Sequence, residues 1–288
     1  MNAIPAENLP QRISQYAPGI YPDVPAEVYH QRELGVVNTG ALKILASQTP
    51  AHYKAWVDDQ TEQPETPALV FGSALHALVL EPGLFAKEWA LCPDFGDLRT
   101  KKAREARDAW AADNPGVRAV SADDWRRLHA MRESIMRHPV AGKVFTGGRA
   151  EVTAVWTDPR TGLVCKARYD YEREDINLLA DLKSTDDASP RAFARSIAKF
   201  QYHIQDAHYS DGPRVLRGEE TRFLFVAVEK QPPYCVGTYM LDTESAMRGE
   251  EMRARGMEAL DECLRTDAWP SYPNEVNTIA LPNWAFSD

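Results

Sequence analysis

At 288 residues, with 44% hydrophobic and 26% charged content, the chain is long enough to bury a full core and has the composition of an ordinary globular protein. A net charge of −9 excludes broad, nonspecific coating of nucleic acid, yet leaves room for a local basic channel. Cys92, Cys165, Cys235 and Cys263 form no CxxC pair and no apolar run nears the roughly 20 residues of a membrane span, so thiolate metal sites, disulfide frameworks and membrane insertion are excluded and a soluble, cytoplasmic protein is expected.

In chain order, residues 1–35 carry scattered prolines and little periodicity, which predicts an extended N-terminal arm lying on the surface or on a neighbouring subunit, without the layout of a signal peptide. Asn38 or Thr39 caps a helix through Leu42 and Leu45, with Pro50 ending it or starting the next. A stronger helix covers about 68–80, with Leu75, Leu78 and Val79 on one face. The basic stretch "RTKKAREAR" leads into a helix and a turn at Asn114-Pro115-Gly116, and 121–138 follows as an amphipathic helix. Strands at 151–156 and 163–171, joined by "DPRTG", predict a hairpin, and "INLLADLK" completes a meander. Helical spacing of Phe193, Ile197, Phe200 and Ile204 predicts one helix over 190–209 crossing the sheet. Strands at 222–229 and 235–241 and a helix over 243–264 close the chain. Residues 36–288 therefore read as a single α/β domain around a central mixed sheet flanked by helices.

The strand "INLLADLK" raises the chemical question, because Asp181 and Lys183 interrupt an otherwise apolar run. Alternation puts both on one face, and Asp170 of the preceding strand converges on them if the strands are neighbours. Carboxylates gathered at a sheet surface need cations between them, and oxygen donors of this kind suit Mg²⁺ or Mn²⁺. A solvated Asp–Lys pair gives the same spacing, so D-x-K alone decides nothing.

The wider pattern is more specific. "ADLKST", with Asp170 eleven residues before Asp181, resembles the core of the PD-(D/E)XK nuclease superfamily, although Tyr169 stands where the superfamily's name has proline. "FGSALHALVLEP", "RYDY", "ADLKST", "YHIQDAHYSDG" and "LPNWA" together resemble the exonuclease domain of the RecE (exonuclease VIII) family, related to lambda exonuclease and RecB-type nucleases, from about residue 20 onward.

The resemblance implies the PD-(D/E)XK nuclease fold, with His76, Asp170, Asp181 and the Leu182 carbonyl as ligands to Mg²⁺ or Mn²⁺, two ions per site. It implies that Lys183 positions the attacking water, that Glu151 reaches a metal, and that Gln205 and Tyr209, one helical turn apart, hold phosphate or the nucleophilic water. From the residues alone, His76 is equally a core histidine and Glu151 a solvated strand end. Arg99, Lys101 and Lys102 are expected near a DNA entrance, and Lys43, Arg168 and Thr39 around a terminal phosphate; the basic run also reads as a solvated helix. The implied activity is an ATP-independent 5′-to-3′ exonuclease on linear double-stranded DNA. It would work as a trimeric or tetrameric ring and leave 3′ overhangs for a RecT-like annealing partner. No Walker motif supplies a motor. A RecB-type single-strand nuclease and a catalytically silent DNA-binding scaffold are the alternatives. No cysteine cluster supports an iron–sulfur nuclease.

Overall fold

In a computed structural model, which describes residues 10–61 and 64–286, strand and helix propensity, capping and burial build a mixed sheet between two helical layers. The N-terminal part holds β1 (Gly19–Tyr21), α1 (Ala26–His30), β2 (Val36–Val37), α2 (Thr39–Ser47), α3 (Pro50–Asp58), α4 (Pro67–Leu80) and α5 (Pro82–Glu88). A small parallel pair, β3 (Trp89–Leu91) and β4 (Arg118–Val120), flanks α6 (Lys101–Asp113). Next come α7 (Ala122–Arg137), α8 (Ala141–Val144), β5 (Arg149–Thr157), β6 (Val164–Arg173) and β7 (Leu178–Thr185). The chain ends with α9 (Pro190–Phe200), α10 (Tyr202–Arg217), β8 (Arg222–Glu229), β9 (Val236–Tyr239) and α11 (Thr243–Thr266).

The helix starts follow local chemistry. Asn38, Thr66, Thr100, Ser121, Ser189 and Asp242 each accept a hydrogen bond from an amide of the first turn, satisfying donors that have no intrahelical partner. The sheet order is β1-β5-β6-β7-β8-β9, with β7 and β8 parallel and the other neighbours antiparallel. One face buries Leu78, Leu128, Met131, Leu182 and Val226 under α4 and α7; the other buries Leu42, Trp156, Tyr169, Ile204 and Phe225 under α2, α10 and α11.

Two expectations are corrected. The described residues 10–35 are not an extended arm on the surface: β1 extends the sheet beside β5, and Ile13, Tyr16, Val28 and Tyr29 form a core with Val36 and Val155, while residues 1–9 of the expected arm lie outside the described residues. The anchors of 10–35 are long-range and leave no local periodicity. Lys166, almost wholly buried, donates to the carbonyls of Tyr29 (2.6 Å) and Gln31 (2.8 Å), and Arg168 donates to the carbonyl of Val24 (2.7 Å). The helix expected over 190–209 is two helices, α9 and α10, broken at Gln201, whose φ of 54° is left-handed; neither glycine nor proline announces it.

The feature that creates a site is a gap in the ladder. On the side of β6 away from β5, β2 pairs with Val164 and Cys165, whereas β7 pairs only with Tyr171, Glu172 and Arg173. Between them, residues 166–170 have no ladder partner on that side among the described strands. The sheet opens there, and Asp170 stands at the fork.

Candidate active site

Asp170 lies where both of its ladders lapse. Toward β7 the pairing stops at Tyr171↔Ala180; toward β5 it runs through Ala150↔Tyr171 and resumes at Val152↔Tyr169, skipping Glu151. Glu151 has a φ of 50°, a left-handed conformation that costs an L-residue about 1–2 kcal/mol and turns the strand over. Ala150 and Tyr171 accordingly pack with one core, and Val152 and Tyr169 with the other. The Asp170 carboxylate takes the place of the missing ladder bond: its Oδ2 accepts from the Leu182 amide at 2.8 Å.

His76 reaches the same point from α4. Its Nε2 lies 2.9 Å from the Leu182 carbonyl oxygen, and its Nδ1 lies 3.6 Å from Asp170 Oδ2. A carbonyl can only accept, so Nε2 carries a proton, and in the neutral imidazole that leaves Nδ1 with the lone pair. An imidazole whose second nitrogen donates to a backbone carbonyl is the usual arrangement of a metal-ligating histidine. The Leu182 carbonyl, expected as a ligand itself, accepts this hydrogen bond from His76 and keeps a second lone pair. One ligand atom each from His76, Glu151 and Asp170 lies within 4.8 Å of the others.

Asp181 stands beside this trio rather than in it. It is 1% exposed; Gln205 Nε2 donates to its Oδ1 at 2.6 Å, and Lys183 Nζ approaches Oδ2 to 2.5 Å. Among the described residues, the Lys183 ammonium is the one cation on this buried oxygen, which has no other donor. Burial pushes Asp181 up to about 6, against the attraction of Lys183 and with repulsion from Asp170. Burial likewise pushes Glu151 up to about 8, with repulsion from Asp170 and partial relief from Arg168. Burial pulls the Lys183 ammonium down, but Asp181 and Asp170 outweigh it and hold the group above its ordinary range.

The residues fit a divalent cation. The Glu151 and Asp181 carboxylates forced toward protonation by burial and by Asp170, and a histidine nitrogen 3.6 Å from the Asp170 carboxylate, call for positive charge at one place. His76, Glu151 and Asp170 would hold the ion, with Asp181 next to them.

The other expected residues fall into two groups. Tyr209 lies among the carboxylates, its phenol raised well above the ordinary value by burial and then by Tyr29, Asp170, Asp181 and Glu151. Gln205 donates to Asp181. Lys43 Nζ lies 5.1 Å and Lys183 Nζ 5.0 Å from the Tyr202 ring, and burial, with help from Lys183, pulls Lys43 down to about 8. Thr39, one turn before Lys43 on α2, has a buried hydroxyl without a hydrogen-bond partner. Arg168 lines a cavity of about 620 Å³ with His30, Ser73, His76, Glu81 and Glu151, its guanidinium 4.3 Å from the Tyr29 ring. Arg99, Lys101 and Lys102 stand apart: all are exposed at the start of α6, with Arg99 paired to Asp97 and Lys101 to Glu105.

Sequence reasoning passed over Tyr202 and Glu81. Tyr202 had a readable signal, since it precedes Gln205 by three and Tyr209 by seven on one helix face.

A central mixed sheet forked between two strands, with acidic residues and an Asp-x-Lys pair at the fork, is the architecture of the PD-(D/E)XK class. The chain belongs to the family described as a PDDEXK-like domain of unknown function (DUF3799), whose profile matches residues 40–282. Among solved structures it is similar to a Eubacterium rectale protein named as a "putative exonuclease". That match has a TM-score of 0.60 and 14% identity and covers 92% of this chain and 98% of the other, which establishes the shared fold. No curated protein matches. No described helix is long and apolar enough to cross a membrane.

Proposed function

We propose that the protein is a divalent-metal-dependent nuclease, and specifically a RecE-like, ATP-independent 5′-to-3′ exonuclease on linear double-stranded DNA that leaves 3′ single-stranded overhangs. The observation that carries the nuclease reading is the meeting of His76, Glu151 and Asp170 ligand atoms beside the buried Asp181–Lys183 pair. Membership of the PDDEXK-like family supports it. The finer specificity rests on the five sequence blocks that resemble RecE, with Lys43 near Lys183 and Asp181, and Arg168 beside Glu151 and His76, as candidate holders of a terminal phosphate together with Thr39 one turn before Lys43. A ring of three or four copies acting with a single-strand annealing protein would reconcile a net charge of −9 with a DNA substrate, since only the channel needs to be basic.

The cation, Mg²⁺ or Mn²⁺, supplies Lewis-acid polarisation of the scissile phosphate and makes water a stronger acid. The chain does the rest. Lys183 places an ammonium where charge develops on the phosphate oxygens, and Asp181, 2.5 Å away, fixes that ammonium. Gln205 prevents rotation of the Asp181 carboxylate by holding Oδ1. The Leu182 peptide locks two further groups at once, its N–H on Asp170 and its carbonyl on His76. Lys183, Asp181, Asp170 and His76 are thus all tied to β7.

The test is digestion of linear duplex, single-stranded and covalently closed circular DNA with Mg²⁺, Mn²⁺ or EDTA, with Asp181→Ala and Lys183→Ala as controls. The proposal expects metal-dependent loss of linear duplex, faster from a 5′-phosphorylated end, intact circles, and inactive but folded variants. Cutting of circles would remove the exonuclease assignment. Activity in EDTA, or full activity of either variant, would remove the site.

A further inference from the structure

The break between α9 and α10 builds a feature that the catalytic residues do not use. Residues two apart in a continuous helix point about 200° away from each other and do not touch. The left-handed Gln201 between Phe200 and Tyr202 cancels that rotation, so the two rings stack, with centroids 5.6 Å apart and planes 28° apart. Tyr202 in turn stacks on Phe225 at 6.0 Å and 29°. The result is a column of three rings rising from a fully buried Phe225 to a Phe200 that is 48% exposed.

Ammonium groups follow this column outward. Lys183 Nζ lies 5.0 Å and Lys43 Nζ 5.1 Å from the Tyr202 ring, and Lys199 Nζ lies 5.2 Å from the Phe200 ring. A half-exposed aromatic ring one ring away from Lys183, with mobile lysine side chains over the rings of the column, has the composition of a single-strand grip. A base that displaces the Lys199 side chain stacks on the ring and phosphates meet the ammonium groups. Inside a duplex both faces of a base are already covered by its neighbours, so such a ring is offered an unpaired or terminal base.

We infer that Phe200 is a stacking platform for an unpaired nucleobase next to the scissile phosphate, so that the strand being cut is gripped as a single strand. This rests on the nuclease reading and names the form of substrate that the same site holds. Stacking of one base accounts for about 1–3 kcal/mol, so losing the ring should weaken single-strand binding on the order of tenfold or more.

The test measures binding of a single-stranded oligodeoxynucleotide with 2-aminopurine at its 5′ end, in EDTA to prevent cleavage, to the full chain. Expected are quenched fluorescence on binding to the wild type, about tenfold weaker binding and no quenching for Phe200→Ala, recovery of both by Phe200→Trp, and no recovery by Phe200→Leu. In turnover on linear duplex, Phe200→Ala should raise KM more than it lowers kcat. Unchanged binding and quenching in Phe200→Ala, or wild-type behaviour of Phe200→Leu, overturns the platform while leaving the nuclease reading intact if the wild type still cuts. A change in solution mass of Phe200→Ala with unchanged binding also overturns it and assigns the ring to contact between copies. A wild type that neither binds nor cuts DNA removes both.

Discussion

Gln205→Leu isolates the support given to the candidate metal site. Gln205 is 7% exposed and donates a 2.6 Å hydrogen bond to an Asp181 that is 1% exposed, so water has no route to replace the lost donor. A hydrogen bond to a charged group is worth about 1.5–3 kcal/mol. At 1.4 kcal/mol per tenfold, that predicts a loss of roughly 10- to 100-fold. The loss should fall on metal affinity if the Asp181 carboxylate, next to the ion held by His76, Glu151 and Asp170, lends its charge to that ion, since Gln205 holds the carboxylate in place. The assay is the rate of linear duplex digestion as a function of Mn²⁺ concentration. The variant should need about 10- to 100-fold more Mn²⁺, reach a kcat within a few-fold of wild type at saturation, and show a greater deficit at lower pH, where protons compete for Asp181. A fall in kcat with unchanged Mn²⁺ dependence would refute the reasoning and place Gln205 on the substrate.

Two further outcomes are expected. Glu151, held at about 8, binds a proton on folding that an unfolded glutamate releases near its ordinary value of 4.5, so its contribution to stability is lost as pH rises between those values; the Tm of EDTA-treated protein should fall from pH 5 to pH 8.5, and Glu151→Gln should flatten the fall, parallel curves counting against the assignment. Ile13, 0% exposed, should cost about 2–4 kcal/mol when truncated to Ala, read as a lowered urea midpoint, whereas a loosely attached arm would show no change.

Legibility in the sequence follows the range of the forces involved. The hairpin of β5 and β6, the strand β7, and helices α4 and α7 are set by local alternation, by helical spacing and by capping residues such as Thr66 and Ser121, all of which can be counted along the chain. The adjacency of the two strands that carry Asp170 and Asp181 is legible for the same reason, since consecutive antiparallel strands become neighbours. What the pattern hides is the lapse of both ladders at Asp170 and the left-handed backbone at Glu151, because neither residue type marks a break. Gln201 hides the split between α9 and α10 in the same way. The segment before residue 36 is illegible for a different reason: Tyr29, Gln31 and Val24 are held through backbone carbonyls by Lys166 and Arg168, and carbonyls carry no sequence signal. His76 becomes interpretable only once the Leu182 carbonyl is seen to fix its tautomer.

The account depends on positive charge being wanted at one place, the fork between β6 and β7. Anomalous diffraction from a crystal grown with Mn²⁺ tests this directly. Density should lie at the fork within bonding distance of His76 Nδ1 and of the Glu151 and Asp170 carboxylates, with Lys183 drawn away from Asp181 Oδ2. Density at another site, or none at saturating Mn²⁺, would contradict it.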